Sequence, residues 1–174
     1  MVQNLYTMEQ KGSKSLKAKK MLVLLRGGFL HKISDNGRIN LPSNFKEALA
    51  NRGVNRLIVI RDLDCLRVWP EDEWEKREQG FNLLNLDDSK VSGYLRYLYS
   101  NLTDLEMDSN GRFVISESLK KEMEFKDQVF ILGMGNLFEI WNPDYYQWKA
   151  KELAQDFNGN RNYVALLLEK RDRD

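Results

Sequence analysis

The chain has 174 residues, 42% hydrophobic and 30% charged, with a formal net charge of +1. These are the proportions of an ordinary globular protein, too near neutrality to coat nucleic acid by bulk electrostatics. The single cysteine, Cys65, excludes an intramolecular disulfide and a cysteine-rich zinc site. No apolar run approaches the ~18 residues of a membrane span, so no membrane partner is expected.

Residues 1–23 are polar and lysine-rich with little periodicity, as in a flexible tail or a basic arm assisting DNA binding. Five lysines (11, 14, 17, 19 and 20) stand against Glu9 there, which leaves 22 basic and 25 acidic side chains in the rest. Any DNA contact by the folded part therefore needs a local basic face. The apolar Met21-Leu22-Val23-Leu24-Leu25 loosely imitates a signal peptide, but it is too short and lacks a small-residue cleavage site. A cytoplasmic location is expected.

From Phe29 onward Phe29, His31 and Ile33 alternate with Leu30, Lys32 and Ser34, the period of a half-buried strand. The polar turn Ser34-Asp35-Asn36-Gly37-Arg38 follows, and Ile39 and Leu41 alternate with Asn40 on the returning strand. Pro42 fits a helix start, with Phe45, Ala48 and Leu49 on one face and Gly53 as its stop. Leu57-Ile58-Val59-Ile60 is a buried-strand run. Asp62-Leu63-Asp64 turns the chain, Cys65-Leu66-Arg67-Val68-Trp69 returns, and Pro70 precedes an acidic-started helix over residues 72–79. Residues 89–102 form a connecting helix, with Val91, Tyr94, Leu95, Leu98 and Leu102 at helical spacing.

The same order then recurs. Leu105 and Met107 lead into Asp108-Ser109-Asn110-Gly111-Arg112, and Phe113, Val114 and Ile115 leave it. Ser116 is the expected N-cap of a helix carrying Leu119 and Met123. Val129-Phe130-Ile131-Leu132 pairs, through a tight hairpin at Gly133-Met134-Gly135-Asn136, with Leu137-Phe138-Glu139-Ile140-Trp141. Asn142-Pro143 starts a helix running through Tyr145, Tyr146, Trp148 and Leu153. The final stretch, around Asn158-Gly159-Asn160 and Tyr163 to Leu168, is compatible with either a helix or a strand. Across the copies Gly37 matches Gly111, Arg38 matches Arg112, Trp69 matches Trp141 and Trp74 matches Trp148.

A strand, a Gly-Arg turn, a strand, a short helix and a closing hairpin, present twice, resembles the MraZ family over roughly residues 26–155. The resemblance implies an α+β fold of two tandem SpoVT/AbrB-type swapped-hairpin β-barrel units with pseudo-twofold symmetry and short helices outside. The units would span residues 26–82 and 83–155, with a C-terminal tail over residues 156–174. It also implies a nucleoid-associated transcription regulator without cofactor, assembled as a homo-oligomeric ring. Such a ring would present the turns to double-stranded DNA at direct repeats upstream of the cell-division and cell-wall gene cluster. Within each family turn, Asp is followed four residues later by Arg. Asp108 and Arg112 comply, whereas Ser34 replaces the first Asp beside Asp35, and Asn36 and Asn110 stand where lysine is frequent.

Arginine donates two hydrogen bonds to guanine O6 and N7 in the major groove, which admits a two-stranded ribbon. Arg38 and Arg112 are the candidates for that contact, and Lys32 for a phosphate. Asn36 and Asn110 either hold φ > 0 geometry or touch base or phosphate. Ser34, Asp35, Gly37, Asp108 and Gly111 would shape and orient the loops. The plain alternative is an exposed hairpin whose arginine pairs with a nearby carboxylate, in a non-catalytic structural protein with no specific DNA target. No nucleophile–base or metal constellation points to an enzyme or a small-molecule substrate. His31 reads as structural or DNA-side, Cys65 as core, Asp87, Asp88 and Asp127 as loop acids, and the four tryptophans as core or subunit interface.

Overall fold

The computed structural model describes residues 24–172; the lysine-rich extension expected over residues 1–23 lies outside the described residues. The first repeat supplies β1 (Leu25–Lys32), β2 (Arg38–Asn40), α1 (Ser43–Arg52), β3 (Arg56–Arg61), β4 (Leu66–Pro70) and α2 (Glu71–Phe81). Helix α3 (Ser89–Ser100) leads into the second repeat, with β5 (Leu102–Glu106), β6 (Arg112–Val114), α4 (Glu117–Glu122), β7 (Gln128–Gly135) and β8 (Phe138–Trp141). Helices α5 (Pro143–Gln155) and α6 (Phe157–Arg171) complete the described chain.

The architecture is α+β, with one six-stranded antiparallel sheet in the order β1-β7-β8-β4-β3-β5 and a separate ribbon of β2 with β6. Matching the repeats (β1 with β5, β3 with β7, β4 with β8) makes this order the same from either end. Each outer strand lies against the hairpin of the other repeat. Strand β1 pairs with β7 from Leu25 opposite Gly135 to Lys32 opposite Gln128, and β5 pairs with β3.

Period-two alternation in β3 fills two layers. Leu57 and Val59 enter a large core with Leu25, Phe45, Phe113 and Phe138, beneath the ribbon and α1. Ile58 and Ile60 face the other way, into a second cluster with Trp74, Leu95 and Leu98 from α2 and α3. Full burial of such side chains stabilises by about 1.5–3 kcal/mol each. Two expected caps are in place: Ser116 Oγ accepts the Leu119 amide, and Asn142 Oδ1 accepts those of Asp144 and Tyr145.

Several local expectations are corrected. Strand β1 starts at Leu25, four residues before Phe29, because all eight of its residues find partners on β7. Leu102 opens β5 instead of ending the connecting helix; Asn101 is the C-cap, and pairing with Ile60 takes over. Gly133, Met134 and Gly135 belong to β7, and the hairpin turns at Asn136 and Leu137. A Cβ on Gly133 would lie 2.5 Å from the Leu25 carbonyl oxygen, so the close approach of β1 selects glycine there. Cys65 is buried as expected but lies in the turn just before β4. The C-terminal stretch is helix α6.

Candidate nucleic-acid interface

Both Gly-Arg turns close by the same backbone pattern. In the first, the Gly37 amide donates to Ser34 O at 2.9 Å and the Ser34 amide to Arg38 O at 3.0 Å. In the second, Gly111 donates to Asp108 O at 2.9 Å and Asp108 to Arg112 O at 2.8 Å. Gly37 at φ +77° and Gly111 at φ +69° occupy the left-handed region, as Gly in tight turns does. Asn36 and Asn110 are not at positive φ, which removes the first of the two roles expected of them; the glycines next to them hold that geometry.

The turns differ in how their first residue closes them. Asp108 Oδ1 accepts the amides of Asn110 and Arg112, each at 2.9 Å. The Arg112 amide is the main reason the carboxyl titrates below its ordinary value; the Asn110 amide and the guanidiniums of Arg112 and Arg38 act in the same direction. Ser34 Oγ accepts the Arg38 amide at 3.0 Å and donates to Asn36 Oδ1 at 2.5 Å. It carries no charge with which to gather a second amide.

After the turns the chain enters the ribbon, where Ile39 pairs with Phe113, and both are buried. Alternation then places Arg38, Asn40, Arg112 and Val114 on the opposite, exposed face. Arg38 lies opposite Val114 and Arg112 opposite Asn40. Among the described residues neither guanidinium forms an ion pair, whereas Arg52, Arg56, Arg61 and Arg67 all do. The Asp108 carboxylate feels both guanidiniums without forming an ion pair with either.

Lys32, Ile33, Ser34, Arg38, Asn40, Arg112 and the acidic Asp127 line one depression of about 400 Å³. Asp35 and Asn36 are exposed at the tip of the first turn. Asn110, Asp108 and Gly111 line a different hollow, shared with α1. The repeats are thus unequal beside the arginines, because Lys32 of β1 corresponds to Glu106 of β5. His31 lies edge-on to Phe29, and burial, assisted by the nearby Lys46 charge, lowers its pKa.

Sequence reasoning missed two lysines. Lys120 Nζ donates to the carbonyl oxygens of Ser34 and Asp35, both at 3.2 Å. The stem of Lys46 lies under Gly111, where an added Cβ would meet its Cγ at 2.6 Å. Each stands eight residues after the arginine of its own repeat, a spacing visible in the sequence.

The family model described as "MraZ protein, putative antitoxin-like" matches residues 24–96 and 98–163. The chain belongs to the MraZ family. It is 34% identical over 136 residues to the "Transcriptional regulator MraZ" of Limosilactobacillus reuteri (strain DSM 20016), covering 78% of this chain and 93% of that protein. The protein of the same name from Alkaliphilus metalliredigens (strain QYMF) is 32% identical over 145 residues, or 83% and 96% of the two chains. That from Syntrophobacter fumaroxidans (strain DSM 10017 / MPOB) is 32% identical over 125 residues, or 72% and 82%. Among the described residues of this MraZ-family chain, no helix is long and apolar enough to cross a membrane and no cluster suits a metal ion.

Proposed function

We propose that this protein is a sequence-specific, DNA-binding transcriptional regulator whose β2–β6 ribbon enters the major groove. The observation that carries the reading is the pair of guanidiniums, Arg38 and Arg112, exposed on one face of that ribbon without ion-pair partners among the described residues. A two-stranded ribbon has the width the major groove admits, and each arginine can take one guanine through O6 and N7. Lys32 adds a phosphate contact beside them, and Asn36 and Asn110 stand exposed at the turn tips for a base or phosphate. Short direct repeats upstream of the cell-division and cell-wall genes are the target suggested by the family resemblance, with a nucleoid location in the cytoplasm.

The exchange of outer strands, β1 onto β7 and β5 onto β3, supports a swapped-hairpin arrangement of units 26–82 and 83–155. Exchange ties both turns to one sheet and so fixes the spacing of the arginines.

A nearly neutral subunit gains useful affinity from repetition, since linked weak contacts raise effective concentration. The occupant of the exposed C-terminal helix is a second copy of this chain. Helix α6 is apolar around its whole circumference at residues 163–168, yet Tyr163 is 63% and Leu166 57% exposed. A helix of that composition is normally buried. Phe81, Leu84, Leu86 and Leu95 line an apolar groove of about 490 Å³ on the α2–α3 side. Arg96 and Tyr99 of α3 add polar groups to the groove wall. Docking α6 of one copy into the groove of the next is head-to-tail and can close a ring.

The test is a mobility-shift titration on the DNA upstream of the protein's own gene at several salt concentrations. Binding that weakens steeply with salt is expected, with a loss of at least about 100-fold in the Arg38→Ala/Arg112→Ala double variant. Equal binding by a correctly assembled double variant overturns the reading. Flat salt dependence, or no binding, favours a structural protein built on the same fold.

A further inference from the structure

We propose that Lys120 is a positioning residue for the first Gly-Arg turn, so that this turn is set by a helix of the other repeat. The proposal rests on the reading of the turns as DNA contacts. Lys120 stands on α4, yet its ammonium bridges the carbonyl oxygens of Ser34 and Asp35, at 3.2 Å each, 86 and 85 residues away in sequence. Hydrogen bonds from an ionised donor are roughly twice as strong as neutral ones.

The need for such a tie follows from the difference between the turns. Turn two is closed from within, because the Asp108 carboxylate gathers two amides. Turn one has only the Ser34 hydroxyl, which takes the Arg38 amide alone and turns its proton to Asn36. Beyond the Gly37 amide on the Ser34 carbonyl, its two leading carbonyls take an outside cation, and Lys120 is that cation. The matching Lys46 under turn two acts differently: its aliphatic stem fills the space beneath Gly111. Turn one is therefore braced from outside and turn two from inside, and the brace decides where the Arg38 guanidinium is presented.

The experiment compares the full chain with its Lys120→Met and Lys120→Arg variants, without and with DNA. Without DNA, amide exchange at Gly37 and Arg38 is expected to accelerate at least about threefold in Lys120→Met, with Gly111 and Arg112 unchanged and Arg restoring protection. With DNA, Lys120→Met is expected to bind about fivefold more weakly at an unchanged salt slope, with no further loss in an Arg38→Ala background. Unchanged exchange at Gly37 and Arg38 overturns the brace. Faster exchange with undiminished binding overturns the positioning role, as does a loss additive with Arg38→Ala or a salt slope reduced by about one. A parent protein that binds no duplex overturns the DNA reading of the turns, on which the DNA-free exchange measurement does not depend.

Discussion

Arg38 and Arg112 lie diagonally across the β2–β6 ribbon, Arg38 opposite Val114 and Arg112 opposite Asn40, on the face away from buried Ile39 and Phe113. They are 74 positions apart in the chain, yet one pairing register sets their separation. Slipping either strand of that pair by one residue would send its arginine into the core face and its buried residue, Ile39 or Phe113, to solvent. Burial of the two apolar side chains therefore enforces presentation of the two cations.

If the arginines read guanine, charge alone will not replace them. Lysine keeps the positive charge but cannot offer the planar, two-pronged donor. Arg112→Lys is expected to lose about tenfold in affinity for the specific site while binding non-specific duplex almost as well. Titrating both DNAs by fluorescence anisotropy checks this; equal losses on the two would make Arg112 a phosphate contact.

Acid should open the second turn before the first. The folded pKa of Asp108 is below its ordinary value of 3.8, chiefly through the hydrogen bond from the Arg112 amide. A depressed carboxyl stabilises the turn above its unfolded pKa, and that contribution is lost as pH falls through the folded value. The amide resonances of Asn110 and Arg112 are expected to titrate together below pH 3.8, while that of Arg38, bonded to the Ser34 hydroxyl, does not follow them. Ser34→Asp should give the Arg38 amide the same acid transition, read in the same NMR titration.

The glycines differ in what surrounds them. A Cβ on Gly37 would lie 2.2 Å from the Ile115 backbone carbonyl oxygen, which cannot swing aside. On Gly111 it would meet the Lys46 stem, which can. Both substitutions carry the left-handed penalty of roughly 1–2 kcal/mol. Gly37→Ala is expected to exceed it, at about 3 kcal/mol or more, and Gly111→Ala to stay near it, as urea unfolding midpoints will measure.

What could be read from the chain beforehand follows the range of each interaction. The turns, their glycines and the caps at Ser116 and Asn142 were legible because the residue that makes each feature lies within four of the residue it satisfies. Leu57 to Ile60 were legible as a buried strand, but not the two separate layers that their alternation fills. The length of β1 was not, because its partner β7 lies some hundred residues away and pairing leaves no local periodicity. Gly133 looked like a hairpin residue because glycine signals a turn, but here it admits the β1 backbone. The repeat does not extend to burial: Trp74 is 3% exposed, whereas its counterpart Trp148 is 56% exposed. Trp74 is covered by α3 through Leu95 and Leu98, and α6 does not cover Trp148 in the same way. The spacing of Lys120 from Arg112 could be read, but not its partners, which belong to the other repeat.

That missing cover bears on assembly. Among the described residues no core cluster includes a side chain of α6. Ending the chain before Phe157 is therefore expected to leave the unfolding midpoint nearly unchanged. Its effect should fall on the contact between copies, where an apolar stretch at residues 163–168 would seek the α2–α3 groove of a neighbour. Leu167→Glu tests the same contact with the helix retained, by placing a carboxylate where an apolar surface must dehydrate. Light scattering during size exclusion is expected to show an oligomer for the parent and a much smaller species for both variants. The affinity of each variant for a single DNA repeat should be preserved, because the ribbon is untouched. Affinity for tandem repeats should fall by about 100-fold or more as avidity is lost. An oligomer that survives both changes would remove α6 from the interface.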